Sequence, residues 1–207
     1  MKTELLIILA RYPTYGRVKT RLAAEIGKAA ALRVYRHLLE HHQREFRQCS
    51  YDVEWHYTPA RSPFRRLENN CRPQSDGDLG ERMCACFSGA FERGYRRVVM
   101  IGTDAPEMSA RTVRHAFRLL RRERAVFQPT TDGGYALIGL AEMVDVFSGM
   151  PWSTHRLMAA TRRRVKCAEL PVTFDIDTAA DLERYRQYSS SRLKKTSRAL
   201  PPLLELK

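Results

Sequence analysis

Residues 5–22 read LLIILARYPTYGRVKTRL. Six consecutive apolar residues run into Pro13 and Gly16, and the chain then delivers Arg17, Lys19 and Arg21 within about one helical turn. A continuous apolar run, rather than an alternating one, marks a strand covered on both faces, as in a parallel sheet. The residues that follow have helical spacing, so the strand empties through a short cationic loop into a helix. That order predicts an α/β chain, and the rest of the sequence repeats it.

Working outward, residues 20–47 carry Leu22, Ile26, Ala30, Val34, Leu38 and Leu39 at helical intervals, which predicts one long helix. DVEWHYT (52–58) alternates as a strand, and a helix is expected over about 79–92. RRVVMIGTD contains a second continuous apolar run, 98–101, ending in Gly102, Thr103 and Asp104. Ser109 is a good N-cap for a helix reaching about 122. AVFQP (125–129) and YALIGL (135–140) predict two strands around the turn TTDGG. A helix is expected from about Ser153, a strand within VKCAELPVTF (165–174), and a final helix whose capping box pairs Thr178 with Asp181. Strands alternating with helices imply a mostly parallel central sheet with helices on both faces.

The 207 residues are enough for one well-buried core. The sequence predicts a single domain over 1–188, followed by a basic, flexible tail over 189–207 in which Arg192, Lys194, Lys195, Arg198 and Lys207 face Glu205 alone. The longest apolar run is far short of the roughly 20 residues that span a bilayer, and the MKTE start carries no signal-peptide pattern, so a cytoplasmic protein is expected. The five cysteines lack metal-site spacing and read as reduced structural thiols. His41 and His42 are adjacent on a helix and diverge.

A net charge of +13 calls for an anionic partner. Arginine-rich helices such as 111–124 read as solvated basic faces. They lack the interleaved aromatic residues of single-strand stacking platforms, so there is no strong case for nucleic acid.

In open α/β sheets ligands bind beyond the C-terminal strand ends. Here those ends sort by charge. The first strand leads into Gly16, Arg17, Lys19 and Arg21; the others lead into Asp104, into Asp132 with Gly133 and Gly134, and into Asp175 and Asp177. Backbone N–H groups, a helix dipole and cations favour phosphate, while carboxylates suit Mg²⁺ or Mn²⁺. Opposed, they form a clamp for a metal–nucleotide.

The segments ARYPTYGRVKTRL, QSDGDLGERM, IGTDAPEM, PTTDGGYALIGL, MPWSTHRLM and FDIDTAADL occur in this order over about residues 5–185. Together they resemble the bacterial glycosyltransferase-A-fold family labelled as uncharacterised glycosyltransferases. That family is similar to the molybdenum-cofactor and phospholactate guanylyltransferases. The resemblance implies a nucleotide-diphospho-sugar-transferase-like fold and a metal-dependent transferase acting on a nucleotide or nucleotide sugar and a small-molecule acceptor. It assigns Gly16, Arg17, Lys19 and Arg21 to the phosphates, and Gln74, Gly77 and Asp78 to base or ribose. It assigns Asp104 and Asp177 to the metal, and Gly133, Gly134 and Trp152 to the acceptor side, with Lys19, Arg17 and Asp132 as catalytic candidates. Asp175, one pleat from Asp177 on a strand, is expected to face away. The chain departs from the family at Arg11 (commonly Lys), Thr131 (often Glu) and Thr178-Ala179-Ala180 (usually Thr-Pro-Glu). Glycosyl transfer is the first expectation and nucleotidyl transfer with release of pyrophosphate the alternative. A polyanion-binding protein without catalysis is a third.

Overall fold

The computed structural model describes residues 3–193, with side chains as far as Gln187. Its elements in chain order are β1 (Glu4–Arg11), α1 (Thr20–Ile26), α2 (Lys28–Glu45), β2 (Asp52–Thr58), β3 (Cys71–Pro73) and α3 (Leu79–Glu92). They continue with β4 (Arg97–Ile101), α4 (Ala110–Leu119), β5 (Ala125–Pro129), β6 (Tyr135–Leu140), α5 (Leu157–Arg164), β7 (Ala168–Glu169) and α6 (Ala179–Leu193). The expected tail over 189–207 lies outside the described residues beyond Leu193.

Seven strands form one sheet in the order β3-β2-β1-β4-β6-β5-β7. Only β6 runs antiparallel to its neighbours, β4 and β5; the other pairings are parallel. The reversal follows from the TTDGG turn, because a short hairpin cannot return a strand in the same direction.

The pure apolar run of β1 is explained by what covers it. Leu6, Ile8 and Ala10 join Val113 and Phe117 of α4 on one face, while Leu5 and Ile7 join Met83 and Phe87 of α3 on the other. A third cluster packs Leu22 of α1, Val34 and Leu38 of α2, and Leu182 and Tyr185 of α6 around Phe174 and Ile176. Successive strand residues point to opposite faces, so both parities must be apolar.

Three expectations need correction, and one element comes in addition. The single helix over 20–47 is two helices, broken at Gly27, whose φ of 85° leaves the helical region. Helical spacing continues across the break, so periodicity alone hides it. The helix expected from Ser153 begins at Leu157, because Ser153 takes a left-handed φ of 60° within a turn. The strand sought in 165–174 is reduced to Ala168–Glu169 with an isolated Thr130–Thr173 bridge; Pro171 between them has no N–H to give to a ladder. Finally β3, a three-residue edge strand, has no period to read and was not expected.

That small strand is anchored by a buried polar cluster. Glu54 of β2 receives Arg93, the residue that caps α3, at 2.8 Å and Arg72 of β3 at 3.4 Å, and His56 stands 3.3 Å from the same oxygen. Burial would raise the Glu54 carboxyl, but His56 and the two guanidiniums outweigh it and hold it below the usual range. His56 Nδ1 lies 3.1 Å from the Cys86 sulfur, whose thiol burial pushes up to about 11. This places α3 and β3, and so the residue after β3, Gln74. His41 and His42 are likewise spent on structure, against the carbonyls of Met108 and Leu38.

Candidate active site

A cleft of about 560 Å³ opens along the C-terminal edge of the sheet. Its walls bring together sequence-distant groups: Arg17, Lys19 and Arg21 from the β1–α1 loop, Gln74 after β3, Asp104 after β4, Trp152, and both Asp175 and Asp177 before α6.

The centre of the cleft is an ion cluster. Lys19 is nearly buried and its ammonium lies 2.5 Å from an Asp104 oxygen and 3.2 Å from an Asp177 oxygen. Arg21 approaches the other Asp177 oxygen at 3.6 Å. Burial alone would pull the Lys19 ammonium down in pKa, but Asp104 and then Asp177 outweigh it, and the group is held above the ordinary lysine value. The backbone helps: Lys19 sits at φ 48°, ψ 48° as the residue before α1, a left-handed conformation uncommon outside glycine. The turn is set up by Gly16 at φ 68°.

Asp175 corrects the sequence reading. Residues 174–178 are not a strand, so the pleat that would turn Asp175 away does not exist, and it lines the cleft with Asp177. Withdrawal from water and the charge of Asp104 push its carboxyl up to about 8; Lys19 eases this, while Asp177 and Asp132 add to it. The sign for stability follows. Between the ordinary carboxylate value and about 8, the folded chain keeps a proton that the unfolded chain has lost, so stability falls as pH rises through this window. Asp175→Asn removes the dependence. Urea unfolding at pH 5 and pH 9 is expected to show the variant gaining about 1–3 kcal/mol on the wild type at the higher pH.

The sequence candidates divide by what the structure asks of them. Arg17, Lys19, Arg21, Gln74, Asp104, Trp152 and Asp177 line the cleft; Gly16, Gly77, Asp78, Asp132, Gly133 and Gly134 do not. Asp78 and Glu81 close a reciprocal capping box at the start of α3, at 2.9 and 2.8 Å. Asp132 accepts the Thr130 hydroxyl at 2.5 Å and the Gly134 N–H at 3.1 Å, which shapes the β5–β6 turn. Trp152 packs against Gly80, where any side chain would collide with its indole, and shows its remaining face to the cleft.

Gly133 has a φ of 87°, and a Cβ there would run into the carbonyl of His155. Its own carbonyl accepts the Met158 N–H at 2.9 Å, so the contact fastens the Trp152 loop to the sheet. Gly133→Ala is expected to destabilise by about 1–3 kcal/mol, read as a fall in melting temperature of roughly 3–10 °C for a domain of this size.

Three lining residues escaped sequence reasoning. Tyr35 of α2 accepts the Arg11 N–H and donates to the Arg11 carbonyl, both at 2.8 Å. Burial pushes its phenol up to about 12, so it stays a neutral donor. Thr103 donates to the same phenol oxygen at 3.5 Å. Arg82 of α3 is steadied by the Asp78 carbonyl at 3.2 Å and the Gln74 side-chain oxygen at 3.3 Å. Gln74 itself spends its amide on the carbonyls of His56 and Ala10. Arg82 had a signal, its fixed place in QSDGDLGERM; Tyr35 and Thr103 look like ordinary core positions.

Residues 38–154 match the DUF2064 family, described as an uncharacterized protein conserved in bacteria. The chain belongs to this family. A candidate nucleotide-diphospho-sugar transferase of Desulfovibrio desulfuricans G20 is 30% identical and superposes with a TM-score of 0.85, over 95% of this chain and 92% of that one. More distant structures share the fold. The 4-diphosphocytidyl-2C-methyl-D-erythritol synthase of Anaerococcus prevotii is 13% identical, with a TM-score of 0.57 over 90% and 96% of the two chains. A Mycobacterium tuberculosis H37Rv protein, Rv0371c, solved in complex with manganese, is 17% identical, with a TM-score of 0.52 over 88% and 97%. No curated protein matches the chain. The fold is thus that of nucleotide-diphospho-sugar transferases and nucleotidyltransferases. The DUF2064 match takes in Gln74, Arg82, Asp104 and Trp152; the cationic loop and the Asp175–Asp177 segment reach the cleft from outside it.

Among the described residues, no three His, Cys, Asp or Glu side chains are arranged to hold a metal ion. Asp104 and Asp177 nevertheless suit a hard divalent cation in chemistry. Both are half-exposed carboxylates on the same cleft wall. No described helix is long and apolar enough to cross a membrane.

Proposed function

We propose that the chain is a metal-dependent transferase that uses a nucleotide-activated donor, and that it transfers a sugar from a nucleotide sugar to a small acceptor. The observation that carries this reading is the shared cleft of Arg17, Lys19 and Arg21 with Asp104, Asp175 and Asp177. The three cations are placed to neutralise the donor's phosphates and the charge that grows on the departing nucleoside diphosphate. The bond from the anomeric carbon to phosphate oxygen breaks, a bond to the acceptor oxygen forms, and the acceptor's proton passes to a carboxylate. Asp132 is the candidate to receive it; Asp175, which keeps its own proton up to about pH 8, can do so only once that proton has left. Asp104 and Asp177 would hold Mg²⁺ or Mn²⁺, which would supply further neutralisation of the phosphates. Trp152, Gly133 and Gly134 belong to the acceptor side, the glycines by positioning its loop.

The Desulfovibrio relative, by its description, supports sugar transfer. The three cations in one cleft favour a second reading, nucleotidyl transfer from a triphosphate, and the sequence resemblance to guanylyltransferases points the same way. A thermal-shift panel separates them: four NTPs and several nucleotide sugars, each with and without Mn²⁺. A ligand at about 100 times its Kd adds about 2.7 kcal/mol of stability. A metal-dependent shift with one nucleotide sugar supports the first reading, and a shift with one NTP alone supports the second. Silence throughout sinks both.

A further inference from the structure

We infer that Lys19 guards the dicarboxylate site, so that the enzyme takes its divalent cation only together with a polyphosphate, as the metal–nucleotide chelate, and discriminates against the free ion. The inference rests on the transferase reading above and deepens it.

The ammonium of Lys19 lies 2.5 Å from Asp104 and 3.2 Å from Asp177, between the two carboxylates that would otherwise ligate a metal. Its side chain is 3% exposed, and the carboxylates it bridges are 46% and 40% exposed. The lysine therefore lies beneath, and the carboxylates open outward to the cleft. A divalent ion entering between them would meet a positive charge at ligand distance, and the repulsion at such a separation is large in a partly dry site. Free metal must then either evict the lysine without giving it a new partner or bind beside it at a cost.

A polyphosphate changes that balance. Lys19 lines the same cleft wall as Arg17 and Arg21, so phosphate oxygens bound there offer the ammonium a replacement anion. Only the side chain needs to swing. The backbone of Lys19 is already committed to its left-handed turn, with its carbonyl accepting the first α1 bond from Ala23 at 2.8 Å. Arg21 pairs with the outer side of Asp177 at 3.6 Å, is exposed, and does not bridge to Asp104 as Lys19 does. Metal and nucleotide are thereby coupled, and the coupling is reciprocal.

The test is calorimetric titration of the full chain with Mn²⁺ alone, comparing the wild type with Lys19→Met and Lys19→Gln. Both variants are expected to bind Mn²⁺ at least tenfold more tightly than the wild type. Because removal of a buried cation could unfold the chain, a second readout uses the wild type only: acetylation of Lys19 followed by mass spectrometry. Lys19 is expected to be protected without metal and to be labelled several-fold faster at saturating Mn²⁺, when the ammonium is expelled without a phosphate to receive it. Equal Mn²⁺ affinity in wild type and variants, or unchanged labelling at saturating Mn²⁺, overturns the guard and leaves the metal-using transferase standing. No Mn²⁺ binding by any of the three proteins, with or without inorganic triphosphate, overturns the guard and the metal part of the proposed function together.

Discussion

Asp104→Asn is expected to lower turnover by about 10³-fold, equivalent to about 4 kcal/mol of transition-state stabilisation. Asparagine keeps the size and one oxygen of the side chain but removes the charge, so the effect isolates electrostatics from packing. Asp104 is half-exposed, in the loop after β4, whose residues Val98–Ile101 are buried. The fold should therefore survive, and Lys19 retains Asp177 at 3.2 Å as a partner. Steady-state transfer rates with the donor found in the thermal-shift panel, alongside melting curves, make the check. Activity within tenfold of wild type, in a folded variant, would remove Asp104 from the machinery and with it the metal-side half of the clamp.

The largest effect on stability is expected at Phe87. Its side chain is fully buried at the centre of the α3 face, with ring centroids 6.4 Å from Phe91 and 5.7 Å from Phe147. Truncation in Phe87→Ala removes a ring that surrounding strands cannot collapse to replace, and costs about 3–5 kcal/mol. Against a total stability of about 5–15 kcal/mol this is a substantial fraction. It corresponds to a fall in melting temperature of roughly 10 °C. Phe87→Leu, which keeps most of the volume, is expected to cost under about 1.5 kcal/mol. A loss as large in Phe87→Leu as in Phe87→Ala would show that ring geometry, not buried volume, fixes α3. Helix α3 matters to the site because Leu79, Arg82 and Met83 come from its first turns.

Most of the sheet was legible because burial imposes a composition. A strand covered on both faces must be apolar at every position, and β1 and β4 announce themselves as LLIILA and VVMI. Strand β2 and the β5–β6 hairpin were equally plain from alternation and from TTDGG. The capping box of the last helix was legible too, since one residue type three positions from another is a local bond: Asp181 does accept the Thr178 N–H, at 2.9 Å. What failed was whatever periodicity averages away or cannot register: the break at Gly27, the three residues of β3, and the irregular path from Val165 to Phe174.

The site divides along the same line. Its ingredients were fixed by the sequence, because the loops at the C-terminal strand ends can be named once the strands are. A cationic loop and the aspartates Asp104, Asp132, Asp175 and Asp177 were therefore expected at one edge. Their pairings were decided only by the tertiary structure. That Lys19 lies between Asp104 and Asp177, that Asp175 joins them instead of turning away, and that Tyr35 holds Arg11 depend on separations of 24 to 158 residues along the chain. Local sequence sets which way a backbone turns, but an ion pair across the sheet exists only after the core has brought its two ends within reach.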